Sequence, residues 1–139
     1  RVAQEDMTPG QMMQVMSRTA IIVGVHGALQ IYGLWMPPGG ILIEAVPYGI
    51  PPDLVEHYRK MCALLGHRHR FWSSPYPDPP NTIGHPDGHA DRGGLGHVAP
   101  YRKRAIMKQR WVRPPKCCRH AAWMYRLFQD MRVDADAVE

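Results

Sequence analysis

The residues best suited to chemistry lie between Ile21 and Glu44. The apolar run Ala20-Ile-Ile-Val-Gly-Val25 reads as a strand, and His26-Gly27-Ala28 then turns the chain into a helix expected over 27–35. A helix N-terminus presents free backbone N–H groups and the positive end of the helix dipole, which suits phosphate at the carboxyl end of a strand. Gly27 and Ala28 carry no bulk, so an anion can approach the backbone closely. His26 adds a hydrogen bond or, when protonated, a charge. Further on, Glu44 interrupts the apolar strand Ile41-Leu-Ile-Glu-Ala-Val46. A carboxylate there is costly unless it is paired or reaches a ligand. Near the strand end it is expected to accept hydrogen bonds from a ribose, as the acidic residue of dinucleotide folds does. The plainer alternative is a tight strand-to-helix turn beside a salt-bridged Glu44.

Three other groups have residue types suited to chemistry. His85, His89 and His97, with Asp87 and Asp91, are candidate zinc ligands, and His67 and His69 add two imidazoles. The intervening Gly and Pro give no fixed geometry, and a zinc site needs its ligands held, so no metal is expected. Arg102, Lys103, Arg104, Lys108, Arg110, Arg113, Lys116 and Arg119, interleaved with Tyr101, Trp111 and Trp123, have the composition of a nucleic-acid surface. The aromatics follow no binding-module pattern, so no nucleic acid is expected there. This segment, 101–119, nevertheless sustains the main alternative, a nucleic-acid-binding module. Met7, Met12, Met13 and Met16 read as core packing.

The elements that must position these groups are read from the same pattern. Thr8-Pro9 is an N-cap followed by the first residue of a short helix. Strands 20–25 and 41–46 are continuous apolar runs, the pattern of strands covered on both faces. Asp53 with Glu56 predicts a capping-box start, Val55, Tyr58, Cys62 and Leu65 recur at helical spacing, and Gly66 is a C-cap glycine. His69 to Trp72 form a third strand. Residues 73–100, with Pro75, Pro77, Pro79, Pro80, Pro86 and five glycines, read as a loop or insertion. A last helix is expected from after Pro115 to about Met131, with Cys117, Ala121, Met124, Phe128 and Met131 on one stripe. The order predicts an α/β fold with a Rossmann-like parallel sheet and flanking helices. Its parts are a nucleotide-binding region 1–72, a Pro/Gly/His-rich loop 73–100, and a basic segment with the C-terminal helix, 101–139.

Composition bounds the class. The chain has 139 residues, 45% of them hydrophobic, and a formal net charge of +5, which excludes a highly charged disordered polymer. Residues 59–126 hold fourteen basic and three acidic groups, whereas the segments on either side are net acidic. A basic middle of this kind points to an anionic partner. Three cysteines, Cys62, Cys117 and Cys118, are too few for a disulfide framework. No run is long enough to span a bilayer, and no signal peptide is visible. The chain opens on Arg1, so a processed, trimmed or partial chain is expected.

The segment from Val23 through His26-Gly27-Ala28, with Leu34-Trp35-Met36-Pro37-Pro38-Gly39 and then Ile43-Glu44, resembles the C-terminal signature of family 61 glycosyltransferases. That signature typically reads H-G-A-G-L-T-N-x-L-F-M-P-P-G, followed by an apolar strand carrying Glu. Aligned without a gap, His26, Gly27, Ala28, Leu34, Met36, Pro37, Pro38 and Gly39 match, while Leu29 replaces the second glycine and Gln30-Ile31-Tyr32 replaces Leu-Thr-Asn. The likeness covers about residues 8–72. It implies the C-terminal half of a two-domain glycosyltransferase of the B type, inverting and metal-independent. The donor would be a UDP-sugar and the acceptor a glycan or glycoprotein. By position, His26, Gly27 and Ala28 would contact the diphosphate and Glu44 the nucleoside. The resemblance also implies a companion N-terminal domain, a membrane anchor upstream and residence in the secretory pathway. A non-catalytic relative of the family is the remaining alternative.

Overall fold

The structure, a computed structural model, describes residues 7–77, 81–113 and 120–133. They form a mixed α/β chain divided into two compact units, one holding 7–45 and 55–71, the other 46–54, 72–77, 81–113 and 120–133.

The first unit begins with helix α1, Pro9–Met16. The Thr8 side chain accepts from the Gln11 backbone N–H, and the Gln11 side chain accepts from the Thr8 N–H, closing a capping box with Pro9 just inside it. Strands β1, Ile21–Val25, and β2, Ile41–Val46, pair in parallel, Ile21 opposite Ile41 and Gly24 opposite Glu44. Strand β3, Arg68–Ser73, adds to the other edge of β2, in the order β1-β2-β3. Helix α2, Glu56–Leu64, connects β2 to β3. Its end is a Schellman arrangement: His67 N–H donates to Cys62 C=O at 2.8 Å and Gly66 N–H to Ala63 C=O at 3.4 Å. That turn requires the φ of +70° that Gly66 adopts.

One face of the sheet carries Ile22 and Leu42, which pack with Met36, Tyr58, Met61 and Cys62. The opposite face of β1 is open: Ile21, Val23 and Val25 are 52%, 62% and 50% exposed. The apolar run therefore is not a doubly covered strand. Lying at the sheet edge, β1 has one face packed, while β2 in the centre is almost wholly buried.

Two further expectations are corrected. Residues 28–35 form a 3-10 helix, Ala28–Trp35, and not an α-helix. Its buried positions, Gln30 and Gly33, together with the following Met36, recur every three residues, matching a helix of three residues per turn. Asp53 does not cap α2. It lies in a separate 3-10 turn, Pro52–Val55, and α2 starts without a side-chain cap.

The second unit is built on Leu95, Ile106, Val112, Ala122 and Tyr125. It contains the short strands β4, Thr82–Ile83, and β5, Asp130–Met131, paired antiparallel, and helices α3, Pro100–Lys108, and α4, Ala121–Leu127. Residues 73–100 thus carry regular structure, including a 3-10 turn Ala90–Arg92 that ends at Gly93. Gly93 has φ of +80°, and a Cβ there would lie 2.6 Å from the Met124 carbonyl oxygen. The last helix is shorter than expected, and its buried residues are Ala122, Tyr125 and Arg126, not the Ala121-Met124-Phe128 stripe. Cys117 lies outside the described residues.

Arg126 organises this unit from inside. Its Nη2 donates to the carbonyls of Met107 (3.0 Å) and Gln109 (2.6 Å) at the end of α3. Its guanidinium lies 5.1 Å from the Tyr48 ring centroid and 5.4 Å from that of Tyr125. The end of α3 and the two ring faces supply negative potential that offsets part of the cost of burying the cation. Burial, partly opposed by the two tyrosines, holds its pKa below the ordinary arginine value.

Candidate functional site

The first unit brings His26 and Glu44 together and adds a residue that spacing did not single out with them. Glu44 is completely buried on β2. One carboxylate oxygen, Oε1, meets Nδ1 of His26 in a close hydrogen bond. The other, Oε2, lies 2.9 Å from Nε2 of His69 on β3. Since an ionised carboxylate only accepts, each imidazole offers it an N–H. His26 is thereby set with Nδ1 inward, its ring otherwise 14% exposed just past the end of β1.

The turn after His26 is held from below. The Tyr58 hydroxyl donates to the Gly27 carbonyl at 2.6 Å, and the His26 and Tyr58 rings meet edge to face at 6.1 Å. Gln30 is buried and donates through Nε2 to the carbonyls of Gly24 (3.0 Å) and Val25 (3.1 Å). Gln30 N–H donates to Gly27 C=O, so the helix begins at Ala28. The first amides of such a helix have no intrahelical acceptor. His26 and the amides of 27–29 therefore gather beyond the carboxyl end of a parallel strand, where open α/β sheets bind ligands.

Tyr58 and Cys62 of α2 lie near the same carboxylate. Burial, and then the Glu44 charge, push both the phenol and the thiol above their ordinary pKa values. Both are neutral at physiological pH and do not compete with the imidazoles for the charge.

The other candidates stand apart from this cluster. His67 is buried at the end of α2, and neither ring nitrogen has a hydrogen-bond partner among the described residues. In the second unit, His85 pairs with Asp130 at 2.6 Å and His89 with Asp91 at 3.5 Å, all at exposed positions. His97 lies beside α3 with Tyr101. Among the described residues, no group of three or more His, Cys, Asp or Glu is arranged to hold a metal ion. On α3, Arg102, Arg104 and Lys108 are exposed and Lys103 pairs with Asp87 at 2.5 Å. Lys116 and Arg119 lie outside the described residues. No helix among the described residues is long and apolar enough to cross a membrane.

No family model matches this chain. Curated proteins similar to it are glycosyltransferases by name. The particular relatives are called protein O-linked-mannose beta-1,4-N-acetylglucosaminyltransferase 2. That of Tetraodon nigroviridis is 32% identical over 133 residues, and that of Homo sapiens is 31% identical over 135; each match covers 96% of this chain. The Xenopus laevis protein is 28% identical over 137 residues, 99% of this chain. The chain spans 23% of the length of the Tetraodon and human proteins and 24% of the Xenopus one.

Proposed function

We propose that this chain is the donor-binding portion of an inverting, metal-independent glycosyltransferase of family 61 that transfers a sugar from a UDP-sugar to a glycan or glycoprotein. The single observation that supports it best is the His26 turn, where an imidazole held by a buried carboxylate stands at the start of a helix whose first amides have no intrahelical acceptor. The relatives' names agree with the transferase part of this reading.

Sugar transfer develops negative charge on the departing diphosphate, and preorganised donors aimed at that charge are the largest common source of rate enhancement. Here the amides of Gly27, Ala28 and Leu29 would meet the phosphate oxygens. His26 would meet them through Nε2, and Glu44, accepting Nδ1–H, stabilises the imidazolium that this contact requires. These groups take the part that a metal ion plays in other transferases, so no cofactor is assigned. Glu44 itself is buried with both oxygens occupied, so its proposed role passes through His26 in place of the ribose contact anticipated from sequence. The acceptor's base would come from a companion N-terminal domain of the same polypeptide or from the cleft. Membrane attachment in the secretory pathway belongs to a span upstream. The chain alone is expected to bind nucleotide weakly and to transfer nothing, because closure over both substrates needs both domains.

UDP titration followed by amide NMR is expected to shift the signals of residues 26–29; signals unmoved at saturating UDP would refute the donor site. Glu44→Ala is expected to weaken UDP and free pyrophosphate by the same factor, about tenfold or ~1.4 kcal/mol. A loss confined to UDP would restore the ribose contact.

A further inference from the structure

The proposed donor site uses only one oxygen of Glu44. Its other oxygen, Oε2, accepts from His69 Nε2 at 2.9 Å, in a place with no exposure to water. The His69 side chain is 5% exposed, and its ring stacks on Phe71 with centroids 6.4 Å apart and planes inclined by 22°. A buried imidazole braced in this way is poorly explained as a surface residue that happens to lie close.

We infer that His69 is a positioning residue: by donating Nε2–H to Oε2 it locks the Glu44 carboxylate so that Oε1 takes the Nδ1–H of His26, leaving His26 Nε2 as the nitrogen that meets an anion. The functional half of this inference rests on the donor-site reading above.

The groups around Glu44 support it. From α2, the Tyr58 hydroxyl is committed to Gly27 C=O and the Cys62 thiol is buried and neutral. From the turn after β1 comes His26, and from β3 comes His69. Among the described residues the carboxylate therefore takes its side-chain hydrogen bonds from two imidazoles, one on each oxygen. A buried carboxylate oxygen left without a donor bears the full cost of its lost hydration. It would then recruit a proton or turn toward another donor. Either change releases Nδ1 of His26, so its tautomer is no longer fixed and the imidazolium that meets an anion loses the carboxylate that stabilises it. The tautomer of a histidine is commonly set by the bond its inner nitrogen makes, and that bond's partner needs support in turn.

The test is nitrogen-detected NMR of the histidine rings in the unaltered protein, His69→Phe and His69→Gln, with pyrophosphate and UDP affinities measured on the same samples. In the unaltered protein His26 is expected to carry a proton on Nδ1, and a second on Nε2 once pyrophosphate or UDP is bound. His69→Phe is expected to replace that pattern by a mixture of tautomers and to weaken both ligands about tenfold, ~1.4 kcal/mol. His69→Gln, which keeps an N–H donor, is expected to recover most of both effects. A merely structural role would lower stability and leave the His26 pattern and the affinities of the folded protein unchanged, which would overturn the inference. So would an unprotonated Nδ1 in the unaltered protein, a reading that holds even if His69→Phe fails to fold. Absent pyrophosphate binding in the unaltered protein, with a His26 pattern that still depends on His69, would refute the donor site and uphold the positioning of His26.

Discussion

At the scale of single residues, the chemistry of this chain turns on one buried carboxylate and what faces it. His26 and Glu44 were legible as candidates because a histidine at a strand end and an acid inside an apolar strand are both unusual. That they touch was not legible, since a separation along the chain does not say which way either side chain points. His69 was visible only as part of a His-x-His pair with His67, read as conceivable zinc ligands. The structure separates that pair, sending His69 to Glu44 and leaving His67 at the end of α2. The same carboxylate raises the pKa values of Tyr58 and Cys62, after burial as the first cause. Raised values mean that the folded state holds these protons more tightly than the unfolded chain. Their contribution to stability is fully present below the ordinary thiol and phenol values and is lost as pH rises through the raised ones. Urea unfolding is therefore expected to show stability falling above about pH 9. Tyr58→Phe should flatten part of that fall, while costing about 1 kcal/mol at neutral pH through the lost bond to Gly27 C=O. An equally steep alkaline fall in Tyr58→Phe would show that this phenol is not a contributor.

At the scale of elements, ends that depend on local chemistry were readable and ends that depend on packing were not. Thr8 and Pro9 start α1, and Gly66 closes α2, because caps and left-handed turns are made by residues adjacent in sequence. Asp53 had the right spacing for a capping box, but the chain takes a 3-10 turn there and α2 begins three residues later. In α4 the buried face is displaced by one residue from the expected stripe, and Arg126 is held inside by carbonyls and rings. Residues 28–35 are a 3-10 helix whose buried positions include Gln30 and Gly33 while Leu29, Ile31 and Leu34 are exposed, so hydrophobicity does not mark the face that packs. Gly66→Ala offers a clean test of a readable end. No atom lies within 4 Å of the Cβ it would add, so the cost is the strain of a left-handed backbone alone. A loss of about 1–2 kcal/mol is expected in chemical denaturation. No loss would mean that the Schellman turn is not formed in solution.

At the scale of the whole molecule, each unit has its own core, and the first leaves the outward side of β1 exposed. Val23 stands at the centre of that face, between Ile21 and Val25. Val23→Lys is expected to change unfolding free energy by no more than about 0.5 kcal/mol, as exposed substitutions do. It should also lower the fluorescence of an apolar dye bound to the chain. A loss of several times that stability would show Val23 to be packed in solution.

By itself, the sequence determined the α/β class, the cap at Thr8, the turn at Gly66, the parallel pair of strands and the candidacy of His26, Gly27, Ala28 and Glu44. All of these rest on residue type and short-range spacing. Only the tertiary structure decided that Glu44 is clamped between two imidazoles, that β1 has an open face, that Arg126 is internal and that residues 73–100 supply Leu95 to a core. Those facts depend on which segments meet across long stretches of chain, and burial, not local propensity, selects the side chains that meet there.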